Sequence, residues 1–475
     1  MVFSSLIFLF AYLPAVWLIY FVTPRKGKNL ALFLVSLIFY AWGEPIYVLL
    51  MLASVTLAFL FGLVIGEYRK EKPRVAKLFT ILSVCVSLSF LLFFKYYNFF
   101  VQSFTDVFLG GNADGLLLKV ILPVGISFYT FQALSYSIDV YKKKLKPTRD
   151  IIAFFAFISF FPQLVAGPIE RATNLLPQFQ KPRMFDYATA VDGCRQILWG
   201  LFKKVVVADN CAVIVNQIFS DYADKSGSVL MVGALFFTFQ IYGDFSGYSD
   251  IAIGTAKLFG VKLMQNFKVP YFSRDIAEFW RRWHISLTTW FRDYVYIPLG
   301  GSRCSKAKII RNTFVIFLVS GFWHGANWTF IVWGAYHALL FLPLILLGKN
   351  RKYTNTVAEG RILPSLKEFF QMVLTFLLVV IGWVIFRAET IGDVVLIMKT
   401  IFSLSLFTTP DKHIFLCFVI LMTLILEWVA RTKSHPLELL NLCNNKIVRY
   451  GVYTFFVFFI FFCMSKPQPF VYFQF

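Results

Sequence analysis

The 475-residue chain has few charged side chains, because Asp, Glu, Lys and Arg make up only 15% of it. A soluble domain carries roughly 25%. Hydrophobic residues make up 58% and occur in blocks close to the length of a membrane-spanning helix. No stretch is both polar enough and long enough to form a soluble domain. The composition therefore argues against a soluble enzyme and predicts an all-α polytopic membrane protein, with residues 1–475 forming a single integral membrane domain.

The sequence also lacks the short motifs that mark several common active sites. Its seven cysteines are spread out without a CxxC pair, so neither a disulfide framework nor a zinc site is predicted. There is no GxSxG, HExxH or P-loop motif, and no GxGxxG in a strand–turn–helix context. We therefore expect no metal site and no bound cofactor.

Negative charge is scarcer than positive charge: 25 acidic residues stand against 46 lysines and arginines, a net charge of +21. The basic residues fall mainly in short loops beside apolar segments, for example at 24–28, 67–77 and 141–146. This is the pattern of cytoplasmic loops in membrane proteins, and such loops also attract anionic lipid or an anionic donor molecule. Because no folded basic module is present, nucleic-acid binding is not expected.

The apolar blocks predict helices, and the middle of the chain predicts an unusual bundle. Early spans are expected at Phe3–Val22, Ile46–Ile65, Leu78–Phe94 and Leu116–Val140. Further along, polar and glycine-containing segments interrupt the apolar runs. Polar backbone at membrane depth is tolerated only where protein or a water-filled cavity surrounds it. We therefore expect a multispan helical bundle with re-entrant or broken helices around a central tunnel.

His324 is the first candidate for a catalytic residue. It lies in GFWHGANW (residues 321–328) between two apolar runs, where an ionisable side chain is costly and so indicates function. A buried imidazole stays neutral and can accept a proton. The neighbouring Trp323 and Asn327 add a ring and an amide that can hold an extended ligand. The alternative is a neutral interior histidine that hydrogen-bonds a neighbouring helix.

His284 is the second candidate. If its segment forms one amphipathic helix, Trp280, Trp283 and His284 share a face. The guanidinium of the nearby Arg281 suits the phosphates of a nucleotide-containing donor. The alternative is an interfacial helix with an aromatic belt and arginines that extend to the membrane surface.

Two further features are ambiguous. His337 lies thirteen residues after His324, which on one helix is about 20 Å along the axis, so we expect it to be structural. The segment YGDFSGYSD (residues 242–250) lies within an apolar run. It is either a polar wall of the tunnel or a hydrated helix interruption capped by its own side chains.

The order of these motifs resembles the membrane-bound O-acyltransferase (MBOAT) family. The resemblance rests on GPIE at 167–170, DFSGYSD at 244–250, WRRWHISL at 280–287, WFRDY at 290–294, IPLGG at 297–301 and GFWHG at 321–325. Within the family, the chain resembles the bacterial alginate O-acetyltransferase branch and its peptidoglycan- and cellulose-acetylating relatives. The resemblance implies a catalytic core at about residues 120–340.

The resemblance also implies an activity and a site. It implies a transferase in the bacterial inner membrane that moves an acetyl group from a cytoplasmic thioester, acetyl-CoA or a carrier-protein thioester, for O-acetylation of an extracytoplasmic polysaccharide. A separate SGNH-type acetyltransferase is the implied partner. His324 is the implied essential residue, acting as a base or as a transient acyl acceptor, and His284 is the second. We expect the donor path to be lined by Asp244, Ser246, Tyr248, Asp250, Trp280, Arg281, Trp283, Trp323 and Asn327.

Three other functions compete with this one. D-alanyl transfer from a carrier protein to teichoic acid belongs to a branch with the same fold and histidines. A transporter or flippase uses buried polar groups along a substrate pathway, but its inverted repeats are not evident in the sequence. A structural scaffold for a polysaccharide export complex is the third.

Overall fold

The computed structural model describes residues 2–111, 113, 115–165, 167–464 and 468–471, and within them the regular structure is helical, as predicted. In chain order the α-helices are α1 (Leu13–Val22), α2 (Lys28–Ala41), α3 (Tyr47–Tyr68), α4 (Pro73–Leu91), α5 (Tyr97–Phe108), α6 (Ile126–Tyr141), α7 (Ile151–Ser159), α8 (Phe161–Leu164), α9 (Ala172–Gln180) and α10 (Tyr187–Leu201). They continue with α11 (Asp209–Ser220), α12 (Gly227–Leu258), α13 (Ile276–Arg282), α14 (Ile285–Phe291), α15 (Lys306–His324), α16 (Trp328–Leu346), α17 (Leu366–Arg387), α18 (Ile391–Ile401), α19 (Ile414–Val429) and α20 (Lys446–Phe462).

Several of these helices are long and apolar enough to cross a membrane. Within the described residues there are five such segments: α3, the run Pro73–Phe108, α12, α16 and α17. Phe8–Val22 and Ile414–Val429 are shorter apolar helices. These segments confirm the prediction of a multi-pass membrane protein, because each of the five is near or above the length that a bilayer requires.

The Cα positions divide the chain into two compact units. Unit 1 comprises Met1–Cys194 and Ala252–Met264, and unit 2 comprises Arg195–Ile251 and Gln265–Phe475. The predicted catalytic core at 120–340 therefore contributes residues to both units. The three histidines of the sequence prediction all belong to unit 2.

Unit 1 is built around α6, whose side chains are nearly all buried. This helix packs against α3 and α4, and a hydrogen bond of 2.7 Å joins the hydroxyls of Ser83 and Ser137. It begins at Ile126 and not at residue 116, so the predicted start of this span is wrong. Pro123 has no N–H to donate, and Gly125 adopts a left-handed φ of 77°, so the chain enters the helix only after them.

Helix α12 is unbroken from Gly227 to Leu258, so the predicted interruption at residues 242–250 is wrong. The glycines in that segment serve close packing instead. A Cβ on Gly247 would lie only 2.8 Å from the carbonyl oxygen of Gly200 on α10. Small residues of this kind let helix backbones approach each other in membranes.

The polar side chains of that segment are used in buried ion pairs. The Lys203 ammonium lies 2.6 Å from a carboxylate oxygen of Asp250 and 2.8 Å from the Ser246 hydroxyl. The Lys204 ammonium lies 2.7 Å from a carboxylate oxygen of Asp244. Pairing compensates the high free-energy cost of burying these charges, so the segment can remain helical although it is buried.

The hairpin of α15 and α16 carries the principal histidine. Helix α15 ends at His324, and the side chain of Asn327 caps α16 by accepting a hydrogen bond from its backbone. The two helices pack closely because a Cβ on Gly334 would overlap the carbonyl group of Phe317. His324 is therefore fixed at a helix end inside unit 2.

Candidate active site

The segment that carries His284 consists of two short helices and not one. Helix α13 ends at Arg282, α14 begins at Ile285, and His284 between them has a left-handed φ of 43°. Such a backbone conformation is uncommon and strained for a residue other than glycine. The prediction that Trp280, Trp283 and His284 share one helical face is therefore wrong.

Asn266 holds the turn at His284 in place. Its carbonyl oxygen accepts a hydrogen bond from the Ile285 N–H at 2.8 Å, and its Oδ1 accepts one from the Ser286 hydroxyl at 2.8 Å. Its Nδ2 donates to the Ser249 hydroxyl on α12 at 3.1 Å. Asn266 is fully buried, so these bonds are shielded from water. Sequence reasoning missed this residue because a single Asn in a loop carries no motif.

The His284 side chain is enclosed by aromatic rings. It is fully buried, and among the described residues neither ring nitrogen has a hydrogen-bond partner. The nearest ring is that of Phe245, with 4.6 Å between the ring centroids. Burial lowers the pKa of His284 to about 3, so the imidazole is neutral at physiological pH.

His324 and His284 face the same aromatic space, which we call the histidine chamber. It is formed by His284, His324, Trp323, Trp333 and Phe386. The two imidazole centroids are 6.5 Å apart, and His324 is also 5.0 Å from Trp323, 5.1 Å from Trp333 and 5.5 Å from Phe386. His324 is 4% exposed, so the chamber is nearly closed to solvent. A neutral imidazole in such a space can accept a proton from a hydroxyl group.

A cavity of about 620 Å³ lies in the same unit. Its lining residues are Ala277, Trp280, Arg281, Ile285, Thr288, Thr289, Phe291, Arg292, Tyr296, Ser302, Thr313, Ile316, Phe317, Ser320, Phe341, Asn350, Arg351 and Thr354. Arg292, Ser302 and Arg351 are exposed and form its mouth, whereas Trp280 and Phe317 are buried at its inner end. The cavity thus changes from cationic at the mouth to aromatic inside, and the described residues of its lining include no carboxylate.

Two indoles, those of Trp280 and Trp333, lie between the inner end of this cavity and His324. The ring of Trp280 is 5.6 Å from the ring of Trp333, which in turn is 5.1 Å from His324. Ser320, another lining residue, is one helical turn before His324 on α15. The inner end of the cavity and His324 therefore contact the same pair of indole rings from opposite sides.

Arginines of α13 hold the loop at the cavity mouth. Arg281 donates to the carbonyl oxygens of Asn350 and Tyr353 at 2.8 and 2.6 Å. Arg282 donates to the carbonyl oxygen of Asn355 at 3.0 Å. Each guanidinium satisfies backbone groups that would otherwise be unpaired, so the loop of residues 350–355 has a defined path.

The chain matches the sequence profile of the membrane-bound O-acyltransferase family over residues 142–384. The chain belongs to this family. It is accordingly an O-acyltransferase.

Curated relatives resolve the branch. The chain is 43% identical over 392 residues to a protein of Pseudomonas aeruginosa named probable alginate O-acetylase AlgI, covering 82% of this chain and 73% of the relative. It is 34% identical over 436 residues to the peptidoglycan O-acetyltransferase of Helicobacter pylori, covering 85% and 80%. The teichoic acid D-alanyltransferase of Bacillus subtilis is 31% identical over 281 residues, covering 56% and 69%. The similarity thus extends over more of the chain in the O-acetylating proteins.

The structure does not bring all the predicted donor-path residues of this MBOAT protein together. Trp280 and Arg281 line the cavity, and Trp323 belongs to the histidine chamber. Trp283 packs its ring 4.8 Å from that of Trp383, behind the chamber. Asn327 caps α16 and donates to the Glu389 carbonyl oxygen at 2.7 Å.

The other four predicted path residues lie on α12 and do not line this cavity. Asp244, Ser246 and Asp250 form the lysine pairs described above. The ring of Tyr248 lies 4.6 Å from that of Phe470. These residues hold α12 and the segment 468–471 in place. The sequence pattern, polar residues within an apolar run, did not predict this structural role.

Proposed function

We propose that this protein transfers an acetyl group from a cytoplasmic thioester, acetyl-CoA, for O-acetylation of an extracytoplasmic polysaccharide. The observation that carries the proposal is the cavity, which has a cationic mouth and whose aromatic inner end packs against the two-histidine chamber. Arginine guanidinium groups suit the phosphates of a CoA thioester, and the buried inner end suits its acyl group. The names of the O-acetylating relatives support the acceptor class.

In the proposed reaction His324 is the general base. Its imidazole takes the proton of the acceptor hydroxyl, and the oxygen attacks the thioester carbonyl carbon. The carbon–sulfur bond then breaks, the thiolate takes a proton from the imidazolium, and the products are an ester and a free thiol. His284, neutral and 6.5 Å away between ring centroids, orients the reacting groups without adding a charge.

D-alanyl transfer is the second candidate, since a teichoic acid D-alanyltransferase is among the relatives. A D-alanyl group carries an ammonium, and a buried ammonium requires an anionic or hydrogen-bonding partner. The described lining of the cavity provides arginines and no carboxylate, so it favours an uncharged acyl group.

The basic segments around the cavity mouth support a cytoplasmic donor. Within residues 292–311, five basic side chains stand against Asp293: Arg292, Arg303, Lys306, Lys308 and Arg311. Such loops remain on the cytoplasmic side of the membrane. We place the protein in the bacterial inner membrane and propose a separate SGNH-type acetyltransferase as the partner that modifies the polymer, as the family resemblance implies.

The proposal is tested by the chemistry of the cell envelope after deletion of the gene. Base-labile acetate and base-labile D-alanine are measured on the extracellular polymers of the deletion strain and of the complemented strain. Loss of acetate with unchanged D-alanine is expected. Loss of D-alanine alone would establish the second candidate, and unchanged amounts of both would refute acyl transfer to these polymers.

A further inference from the structure

Of the three histidines considered in the sequence analysis, His284, His324 and His337, the proposed reaction does not use His337. It is 1% exposed, and its Nδ1 accepts a hydrogen bond from the indole N–H of Trp280 at 3.3 Å. An indole nitrogen only donates, so Nδ1 of His337 carries no proton. The two rings are nearly perpendicular, with 5.0 Å between centroids.

The hairpin geometry explains this contact. Because α15 ends at His324 and α16 runs back alongside it, the predicted separation of 20 Å along one helix is wrong. His337 instead stands beside α13. On its other side, Nε2 faces Gly382 of α17, where a Cβ would come within 2.8 Å. The imidazole is thus seated between a helix backbone and the Trp280 indole.

Trp280 is the residue through which His337 reaches the cavity. The Trp280 ring lines the cavity beside Phe317, with 5.3 Å between the centroids. It also contacts the rings of Phe279, at 5.5 Å, and Trp333, at 5.6 Å, and Trp333 in turn contacts His324. The position of this indole therefore sets where the cavity ends and where the histidine chamber begins.

We propose that His337 is a positioning residue that fixes the Trp280 indole as the inner wall of the donor cavity and thereby limits the length of the acyl group that is accepted. The inference rests on the proposed function, because the cavity must hold a thioester donor. A wall at this place leaves room for a short acyl group, and each added methylene meets the indole. A well-fitted pocket discriminates one methylene by about 10–200-fold.

The test compares kcat/KM for acetyl-, propionyl- and butyryl-CoA in wild type, His337→Leu, His337→Gln and Trp280→Phe. His337→Leu removes the acceptor, whereas the amide oxygen of His337→Gln can still accept the indole N–H. The preference for acetyl over butyryl is expected to fall at least about tenfold in His337→Leu and to be largely kept in His337→Gln. The double variant His337→Leu with Trp280→Phe is expected to lose no more selectivity than the larger single loss, because both remove one interaction.

Tyr336→Phe is the matched control. The Tyr336 hydroxyl donates to the Leu378 carbonyl oxygen at 2.8 Å, so this change removes a hydrogen bond between α16 and α17 and leaves the cavity lining unchanged. It is expected to retain the wild-type chain-length preference. If it relaxed the preference as much as His337→Leu, the effect would be general loosening of the helices and the proposal would be overturned.

Two outcomes separate this inference from the proposed function. If wild type transfers acetyl but His337→Leu keeps its chain-length preference, the positioning role is refuted and the acyl transfer stands. If wild type transfers none of the three acyl groups, the proposed function fails first. Binding of non-reactive thioether analogues of the same three donors measures the preference without turnover. Equal chain-length dependence in wild type and His337→Leu would contradict the proposal even where a variant is catalytically slow.

Discussion

At the scale of single residues, the site depends on groups that stay neutral or cationic in defined places. His284 is kept neutral by burial, with its pKa lowered to about 3, and a left-handed backbone turn presents its ring to the chamber. The arginines divide into those that hold backbone, such as Arg282, and those exposed at the mouth, such as Arg351. Replacing an arginine that holds backbone is therefore expected to loosen the loop, and replacing one at the mouth is expected to weaken donor binding.

The pH dependence of stability follows from His284. Because its folded pKa lies below the ordinary value of about 6.5, protonation favours the unfolded chain. The group costs nothing above pH 6.5, and it destabilises the fold by about 1.4 kcal/mol per pH unit below that value. Thermal unfolding of detergent-solubilised wild type and His284→Asn at pH 7.5 and 5.5 measures this. Wild type should lose more stability on acidification, and an identical loss in both proteins would contradict a buried neutral imidazole.

Arg351 should act on donor affinity alone. It is exposed at the mouth, so replacing it with Gln is expected to raise the KM for acetyl-CoA by about three- to fivefold, less at high salt, with kcat unchanged. Arg303→Gln is the control, because Arg303 is an exposed arginine near the same mouth that does not line the cavity. Equal KM values in the two variants would show that only the general charge of this surface matters.

At the scale of elements, the decisive local structures are a turn, a hairpin and a loop. The turn at His284 and the α15–α16 hairpin bring together two histidines that are 40 residues apart in the sequence. The loop at residues 350–355 is fixed by guanidinium groups from α13. Glu278, which is 1% exposed, lies 2.8 Å from Arg282 and 3.0 Å from Arg274. It therefore orients two guanidinium groups that both donate to the carbonyl oxygen of Asn355.

Glu278→Gln should therefore release the loop. The change removes the carboxylate shared by two buried guanidinium groups, although Arg274 keeps a second one in Glu368 at 3.3 Å. Breaking comparable buried pairs costs about 3–5 kcal/mol. Limited proteolysis should cut within residues 349–356 faster, and the unfolding temperature should fall. Glu359→Gln, an exposed acid in the next part of the same loop, is expected to leave both unchanged. Equal protease resistance of Glu278→Gln and wild type would contradict the role of this ion-pair cluster.

The sequence allowed the helical class and the central histidine motif to be predicted, but not the local geometry around them. Apolar blocks and WHG-type motifs are local patterns, so they can be found in one chain. The continuity of α12 depends on Lys203 and Lys204, which lie 47 and 40 residues from their partners Asp250 and Asp244. The turn at His284 depends on Asn266, and the place of His337 depends on where α15 ends. Such tertiary pairings override what periodicity alone indicates.

At the scale of the whole molecule, the site is confined to unit 2, where the cavity, the chamber and the loop at the mouth all lie. In the proposed function the donor enters at the cationic mouth, and the basic segments beside this mouth are typical of cytoplasmic loops. The proposed acyl transfer needs a neutral His324 that can reach the acyl group of a donor seated in this cavity. Replacement of His324 therefore tests the proposed function most directly.

The most direct test is transfer of labelled acetate from acetyl-CoA to polymer in inverted membrane vesicles of the native strain, which in the proposed orientation present the cavity mouth to the added donor. His324→Ala is compared with His435→Ala, in which another buried histidine of unit 2 is replaced. Loss of a general base typically lowers a rate by about 10²–10⁴-fold, and His324→Ala is expected to show a loss of this size. His435→Ala should stay within a few-fold of wild type. Normal acetyl transfer by a folded His324→Ala protein would contradict the account.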